Sequence, residues 1–332
     1  MLNRRAALGG IVGGLAAAAL PGSSRATATL TLDGADVHVD GYPTVAAARW
    51  IGSELEHATG GRLRLRLYHA GQLGREADTL SLVRHGALAL TRVTLASLNN
   101  AFPATTALSL PYIFDDVAHL RRSLDDLPGA TVLRSFEARG LIGLCFYDAG
   151  VRSIYNTRHP VVTPADLKGL KLRVPPSDLF MALMQGFGVN ATPLAYGEVY
   201  SALQTGLIDG AENNWLSFHS SRQFEVARYW SDTLHSMVPD VLLLSARTDA
   251  LLAADDRELL RDLARRSVPV MREHWDQRIN AARSAALAGG VQVNAADREA
   301  FRAATRPMVA AHLAAPEIRR LHDQIRALAA GA

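Results

Sequence analysis

Strand-like and helix-like patterns alternate along most of this chain, and this alternation restricts its possible folds more than any other feature. Residues 62–68 carry an apolar side chain at every second position, as a strand with one solvated face does. Residues 43–59 before them have a helical pattern, and residues 35–39 predict a short strand. The same kinds of element return later, with a strand predicted at 170–174 and a helix at 197–205. Such alternation is typical of an α/β fold.

An internal similarity indicates two related halves. Residues 79–90 and 199–209 each combine a helical pattern, a glycine that ends it and a short apolar run. Six positions after each glycine stands a charged side chain, Arg92 in the first half and Glu212 in the second. Chance also produces similarities this short. If the halves are related, the strand ends of two lobes face a shared cleft, where α/β proteins bind ligands.

Residues 1–28 have the features of a signal peptide. An arginine pair precedes an apolar run over 6–20, and residues 26–28 read Ala-Thr-Ala, a cleavage signal. The apolar run is shorter than an ordinary membrane span. The alternative to a signal peptide is a buried N-terminal helix. Both the general secretion route and the twin-arginine route are compatible with this segment. Cleavage removes three arginines and no acid, so the formal charge of +3 falls to zero and predicts neither nucleic-acid nor membrane binding.

The single cysteine of the chain is expected to be structural. Cys145 lies in an apolar run over 141–147 that predicts a buried strand. One cysteine forms no intrachain disulfide, even in an oxidising compartment. A reactive thiol needs an electropositive and partly exposed site, which this run does not offer.

Two arginines stand where predicted strands end. Arg173 lies near the end of the strand at 170–174, just before Pro175-Pro176, which keeps the chain extended. Arg152 follows another predicted strand by a few residues. An arginine held at a cleft binds a carboxylate through two parallel hydrogen bonds. The alternative for each is an ordinary surface ion pair.

A polar run at residues 212–215, Glu-Asn-Asn-Trp, adds candidate ligand groups. Asn213 and Asn214 donate and accept hydrogen bonds, which suits sugar hydroxyls or a carboxylate, although taken alone they are better explained as turn formers. Tryptophans usually belong to the core. Trp215 adjoins the asparagine pair, however, and its ring has the shape to stack on a sugar.

The chain lacks the motifs of catalysis and of metal binding. It contains no G-x-S-x-G, no H-E-x-x-H, no P-loop, no C-x-x-C and no dinucleotide-binding glycine motif, and its eleven histidines lack ligand spacing. The sequence therefore predicts a binding protein without catalytic residues, metal or cofactor. The alternative is a sugar-acid lyase or isomerase that uses His38, Glu76 or Glu212 as acid or base.

Four segments carry a resemblance to a known family. They are Ala70–Gly74 with Glu76, Leu110–Phe114, Asp166–Pro175 and Gly197–Gly206. Together they resemble the solute-binding proteins of TRAP transporters, which capture organic acids in the periplasm, and the resemblance covers essentially the whole mature chain. It implies a small organic acid as ligand, TRAP membrane permease subunits as partners and a periplasmic location. We expect a monomer.

The resemblance implies a two-lobed periplasmic binding protein fold, similar to type II, with the ligand cleft between the lobes. A long helix, here expected from about 249 to 288, spans both lobes. Lobe I is expected to comprise 29–150 and about 236–275, and lobe II to comprise 151–235 and about 276–332.

The family also implies roles for site residues. The arginine that binds the ligand carboxylate corresponds to Arg173, a second and variable arginine to Arg152, and the polar side chain opposite the main arginine to Asn213. Further ligand contacts are expected from the groups that can bind hydroxyls. These are Asn214, Glu76, Arg92 and His38, while Trp215 is expected to contact the ligand by stacking on a sugar face.

Three shorter segments resemble the branch of this family that binds hexuronates such as glucuronate and galacturonate. They are 91–93, 147–153 and 211–215. Leu216 and Phe218 depart from that pattern, where Pro and Tyr are expected. The alternatives are a C4-dicarboxylate, a keto acid, an aldonate or an aromatic acid in the same fold, and presentation of the ligand to a sensor kinase.

Overall fold

The structure is a computed structural model that describes residues 29–329, so the predicted signal peptide lies outside the described residues. Eleven strands and eleven α-helices form it. The strands are β1 (Leu30–Ala35), β2 (Leu63–Tyr68), β3 (Leu90–Thr94), β4 (Leu141–Tyr147), β5 (Arg152–Asn156), β6 (Leu172–Val174), β7 (Ala191–Pro193), β8 (Gly210–Asn213), β9 (Tyr229–Ser236), β10 (Asp240–Ser245) and β11 (Gln292–Ala295). The helices are α1 (Pro43–Ala58), α2 (Glu76–His85), α3 (Val117–Asp125), α4 (Leu127–Ser135), α5 (Asp178–Gly186), α6 (Val199–Gln204), α7 (Trp215–Ser220), α8 (Ala246–Leu251), α9 (Ala254–Ala288), α10 (Arg298–His312) and α11 (Pro316–Ala327).

Two mixed sheets share one plan. The first has the strand order β2–β1–β3–β10–β4, and the second has the order β11–β9–β5–β8–β6–β7. In the first sheet β1 is parallel to β2 and β3, and in the second β6 is parallel to β7 and β8. An antiparallel strand then continues each sheet, β10 beside β3 and β5 beside β8. The similar segments 79–90 and 199–209 occupy corresponding places in this plan.

The chain passes repeatedly between the two sheets. Residues 148–151 join β4 to β5, and residues 237–239 join β9 to β10. Helix α9 has 35 residues and is therefore about 52 Å long. It packs on α1 and β4 on the side of the first sheet and on α7 on the side of the second, so it spans both, as predicted.

The lobe limits stay a prediction, and the packing of the last helix favours one change to them. Helix α10 packs on α5 and β9 of the second sheet's side, whereas α11 packs on α4 and on the 3-10 helix Pro103–Ser109. We therefore propose that residues 316–327 belong to lobe I, although the sequence places them in lobe II.

Two predicted element limits are wrong. The first strand covers Leu30–Ala35 instead of 35–39, because β1 pairs with β2 over its whole length. After the strand, the Asp36 carboxylate accepts a hydrogen bond from the backbone N–H of His38, and this contact turns the chain. The long helix begins at Ala254 instead of 249. Leu252, which is buried, has an extended backbone that separates α8 from α9.

The buried strand predicted around the cysteine is confirmed as β4. Cys145 packs with side chains of α1, α9 and the first sheet. Burial raises the pKa of its thiol to about 12, so the thiol stays protonated at neutral pH. This is the behaviour of a structural residue.

Candidate functional site

A cavity of about 740 Å³ lies between the strand ends of the two sheets. Its size falls within the usual range for small-molecule sites, roughly 300–1,000 Å³. Seven of the eight side chains predicted from the sequence line it. They are His38, Glu76, Arg92, Arg152, Arg173, Asn213 and Asn214.

Arg173 is a buried cation without an acidic partner in the described residues. Its side chain is 3% exposed, and its Nε and Nη2 atoms donate to the carbonyl oxygen of Leu194 at 2.9 and 2.7 Å. Three of its five N–H groups remain available, and no carboxylate of residues 29–329 lies within ion-pair distance. Burial lowers the pKa of Arg173, although Glu212 and Tyr155 oppose this. A buried cation of this kind favours an anionic ligand.

Arg152 differs from Arg173, because the protein itself supplies its counter-ion. Its Nε and Nη2 atoms donate to the two carboxylate oxygens of Glu212 at 2.6 and 2.8 Å. His235 lies 3.3 Å from the same carboxylate. Burial alone would raise the pKa of Glu212, but Arg152 and the hydrogen bond from His235 lower it to about 2. Most of the Arg152 guanidinium is therefore used within the protein.

Arg92 is surrounded by three carboxylates on the side of the first sheet. Its Nη2 atom lies 2.7 Å from Asp36, and its Nη1 atom lies 2.7 Å from Glu76 and 3.5 Å from Asp240. Glu76 also accepts hydrogen bonds from the backbone N–H of Thr94 and from the Ser97 hydroxyl. Arg92 therefore holds acidic groups in place. The sequence-based prediction of a direct hydroxyl contact for Arg92 stays untested.

Each sheet has an arginine and an acidic residue on neighbouring strands at its cavity end, and the two types of residue exchange places between the sheets. In the first, Arg92 lies opposite Leu242, two residues from Asp240. In the second, Glu212 lies opposite Ile154, two residues from Arg152. Residues two apart on a strand share a face, so both pairs occupy matching places at strand ends. The first sheet thus presents Arg92 and Asp240 to the cavity, with Glu76 of α2 beside them, and the second presents Arg152 and Arg173.

Asp240 and Thr94 line the cavity, and the sequence-based analysis missed both. They are directly opposite each other in the β3–β10 ladder. Asp240 is 3% exposed, and no group of the described residues donates a hydrogen bond to its carboxylate. Burial raises its pKa to about 7, and the acids Glu76 and Asp36 add to the rise against the effect of Arg92. The chain offers no local motif for Asp240, which becomes recognisable only through the pairing of distant strands.

The raised pKa of Asp240 predicts a dependence of stability on pH. Between the ordinary aspartate pKa of 3.8 and about 7, the folded protein keeps a proton that the unfolded chain has released, so stability falls as the pH rises. Asp240→Asn removes this titration. We expect the variant to unfold like the parent near pH 4 and to gain up to a few kcal/mol over it by pH 8, since one pKa unit corresponds to about 1.4 kcal/mol.

Urea unfolding of the parent and the variant at several pH values measures this difference, and the titrations of groups that do not interact with Asp240 cancel in it. A difference that does not change with pH would contradict the predicted burial of a charge.

The two predicted asparagines have different surroundings. Asn213 accepts hydrogen bonds from Arg152 and from the backbone N–H of Asn214, while its amide nitrogen has no partner among residues 29–329. Asn214 caps α7, because its side-chain oxygen accepts the backbone N–H of Ser217 at 2.7 Å. Asn213 therefore offers a donor to the cavity, and Asn214 mainly fixes the loop that carries it.

His38 belongs to an aromatic contact that joins the two sides of the cleft. Its ring stacks on Tyr42 at 3.6 Å and meets the edge of Tyr196, from the opposite side, at 5.0 Å. The Tyr42 hydroxyl lies 2.9 Å from the Ser217 hydroxyl, also across the cleft. Burial and the charge of Arg92 lower the pKa of His38 to about 3, so the ring is neutral at pH 7. Its Nδ1 atom has no partner in the described residues.

Trp215 does not line the cavity, so the prediction of a sugar-stacking ring there is wrong. Its ring stacks on Trp230 at 3.8 Å and meets Phe218 at 5.9 Å, within the core of the second sheet. Trp215 is the first residue of α7, and the helix turns its side chain away from the asparagine pair. Leu216 and Phe218 are buried as well and lie outside the lining.

Comparison with known proteins gives the family. The model of the family described as DctP, bacterial extracellular solute-binding protein, family 7, matches residues 34–315. The chain belongs to this family. A solute-binding protein of Chromohalobacter salexigens is 37% identical over 276 residues, which are 83% of this chain and 82% of that protein. The family resemblance seen in the sequence is thereby confirmed.

Solved structures of TRAP periplasmic solute-binding proteins have the same fold. One from Bradyrhizobium sp. BTAi1, in complex with α/β-D-galacturonate, is 44% identical, has a TM-score of 0.87 and aligns over 89% of this chain and 99% of its own. One from Roseobacter denitrificans, with bound β-D-glucuronate, is 38% identical with the same TM-score and aligns over 90% of this chain and 99% of its own. These matches confirm the predicted two-lobed α/β fold.

Family and fold also decide the general function. This member of the family is a TRAP solute-binding protein and not an enzyme, and its family acts in the periplasm. Such proteins bind small organic acids and work with membrane permease subunits. In residues 29–329, no cluster of three metal-ligating side chains occurs, and no helix combines the length and hydrophobicity that a membrane span requires.

Proposed function

We propose that this DctP protein captures a hexuronate, D-glucuronate or D-galacturonate, and holds its carboxylate on Arg173. The observation that carries the proposal is the burial of Arg173 with three N–H groups available and no acidic partner in residues 29–329. The Leu194 carbonyl fixes the plane of the guanidinium, so its free edge faces the cavity in one orientation. A carboxylate matches that edge through two parallel hydrogen bonds.

The distribution of charge supports a polyhydroxylated acid. Arg152 and Arg173 lie on the side of the second sheet, and the carboxylates of Glu76 and Asp240 lie beside Arg92 on the side of the first. A ligand with one carboxylate and several hydroxyls satisfies both sides, because carboxylates accept hydrogen bonds from hydroxyls. A short keto acid would leave these buried groups without partners, at a cost in binding free energy.

The other predicted contacts fit this orientation. The amide nitrogen of Asn213 and the remaining N–H of Arg152 lie on the side of the ligand carboxylate. Glu76 accepts from hydroxyls on the opposite side, where the neutral His38 also lines the cavity. Ligand then stabilises the closed arrangement by bridging the two lobes.

Thermal unfolding of the mature chain, from Thr29, with a panel of acids tests the ligand class. The panel contains glucuronate, galacturonate, 2,3-diketo-L-gulonate, succinate, pyruvate and neutral glucose. A ligand at about 100 times its Kd adds roughly 2.7 kcal/mol of stability, so we expect a clear rise in Tm with the two uronates. Glucose lacks the carboxylate and succinate lacks the hydroxyls, so both are controls without effect.

A rise with succinate or pyruvate alone would contradict the hexuronate. A rise with 2,3-diketo-L-gulonate alone would favour the ligand named for a 34% identical periplasmic protein of Escherichia coli, which aligns over 62% of this chain and 63% of its own. Both results keep Arg173 as the carboxylate contact, because every acid of the panel carries that group.

We further propose that the protein acts as a monomer, and that it is exported and its signal peptide is cleaved after residue 28. Light scattering of the purified protein tests the monomer by measuring its mass in solution. Cleavage is supported by the Ala-Thr-Ala signal, and the intact mass of the protein recovered from the periplasm tests it. Replacing Arg4 and Arg5 by lysine separates the two export routes.

A further inference from the structure

Thr94 and Asp240 leave two complementary polar groups without protein partners at the wall of the cavity formed by the first sheet. The Thr94 hydroxyl oxygen is buried and has no hydrogen-bond partner in the described residues. The Asp240 carboxylate lies 3.5 Å from Arg92 but accepts no hydrogen bond. Buried polar groups are nearly always hydrogen-bonded, so a buried hydroxyl without a partner, beside a carboxylate that accepts no hydrogen bond, indicates a missing partner.

Strand pairing places these two groups side by side. Asp240 and Thr94 are direct partners in the antiparallel β3–β10 ladder, so their side chains leave the sheet on the same face, with Cβ atoms about 4.5–5.5 Å apart. Both residues line the cavity. The threonine hydroxyl can donate a hydrogen bond to the oxygen of a ligand hydroxyl. The same ligand hydroxyl can donate its own proton to the carboxylate.

We propose that Thr94 and Asp240 together bind one hydroxyl of the ligand on the side away from Arg173, and that this contact selects hydroxylated monocarboxylates over diacids. The inference rests on the proposed function, since it assumes that the ligand carboxylate occupies Arg173. At pH 8, where the Asp240 carboxylate is mostly ionised, diacids are rejected because their second carboxylate has no proton to donate and would lie beside Asp240, with Glu76 and Asp36 close by.

Calorimetric titration of four variants tests the pair: Asp240→Asn, Thr94→Val, Thr94→Ser and, as a control, Asp323→Asn on the exposed face of α11. The ligands are D-galacturonate, each of its monodeoxy analogues and the diacid galactarate. Asp240→Asn and Thr94→Val are expected to weaken galacturonate binding about ten- to a hundredfold, which is the usual effect of removing a hydrogen bond to a charged or buried group. Thr94→Ser keeps the hydroxyl and is expected to stay within about threefold of the parent.

The deoxy analogues identify the contact itself. For the one analogue that lacks the bound hydroxyl, the parent is expected to bind weakly and Asp240→Asn to cause no further loss. Galactarate is expected to bind the parent poorly and to gain relative to galacturonate in Asp240→Asn. Circular dichroism of each variant shows that it is folded.

Two results would overturn the inference. One is an unchanged affinity of Asp240→Asn and Thr94→Val for galacturonate, and the other is an equal loss with every deoxy analogue. In both cases the parent still binds hexuronates through Arg173, so the proposed function stands. If the parent binds no hexuronate at all, the proposed function fails and this inference fails with it.

Discussion

Arg173→Ala is expected to abolish detectable hexuronate binding while the protein stays folded. The guanidinium is the one buried cation of the cavity that lacks an acidic partner among residues 29–329, so the ligand carboxylate becomes its counter-ion. Truncating one partner of a buried charge pair costs up to about 5 kcal/mol, which corresponds to a loss of about a thousandfold or more in affinity. Calorimetric titration with galacturonate and glucuronate measures the loss.

Stability without ligand distinguishes this loss from misfolding. In the empty cavity Arg173 is a charge held away from water, and its removal is expected to leave the Tm unchanged or to raise it. Arg173→Lys is expected to bind poorly as well, because an ammonium lacks the planar fork that matches a carboxylate. Arg134→Ala, at an exposed position on α4, is the control with unchanged binding. Normal affinity of Arg173→Ala would exclude Arg173 as the carboxylate contact.

Glu212→Gln is expected to have the largest effect on stability, a loss of about 3–5 kcal/mol in the free energy of unfolding. The substitution leaves the buried Arg152 guanidinium without the carboxylate that it contacts at 2.6 and 2.8 Å, and an uncompensated buried charge is costly. Urea unfolding measures the loss. Glu225→Gln is the matched control: Glu225 pairs with the exposed Arg222, and a pair of this kind contributes about 1 kcal/mol or less.

Removing both members of the buried pair tests the cause of this loss. Arg152→Met combined with Glu212→Leu replaces two charges by apolar groups of similar size, and buried ion pairs replaced in this way often lose little stability. We expect the double variant to be more stable than Glu212→Gln. A double variant that is less stable than Glu212→Gln would show that the pair itself, and not the isolated charge, stabilises the fold.

Buried charges at this site reduce the stability of the empty protein. Arg173 lacks a counter-ion within the described residues, and Asp240 has a pKa of about 7 because burial and neighbouring acids disfavour its charged form. In the proposed complex both groups gain partners from a ligand that carries one carboxylate and several hydroxyls. Binding would then remove two unfavourable terms at once, so the groups that destabilise the protein without ligand would also select the ligand.

The sequence by itself determined the elements whose patterns are local. Strand β4 was predicted with its observed limits, and helix α1 within one residue, because hydrophobic periodicity and glycine stops depend on neighbours in sequence. The family motifs also located Arg173, Arg152 and Asn213, and all three line the cavity. The roles of these residues in binding stay a prediction that the experiments above test.

Only the tertiary structure decided which charges are already paired. Arg152 and Arg173 have the same chemistry and both follow strand patterns, yet one contacts Glu212 and the other has no acid within reach in residues 29–329. Asp240 became part of the site through the pairing of β10 with β3, and Trp215 left it through the orientation of α7. These outcomes depend on side chains from distant parts of the chain, so no local pattern contains them. Long-range packing decides which side chains remain available to a ligand.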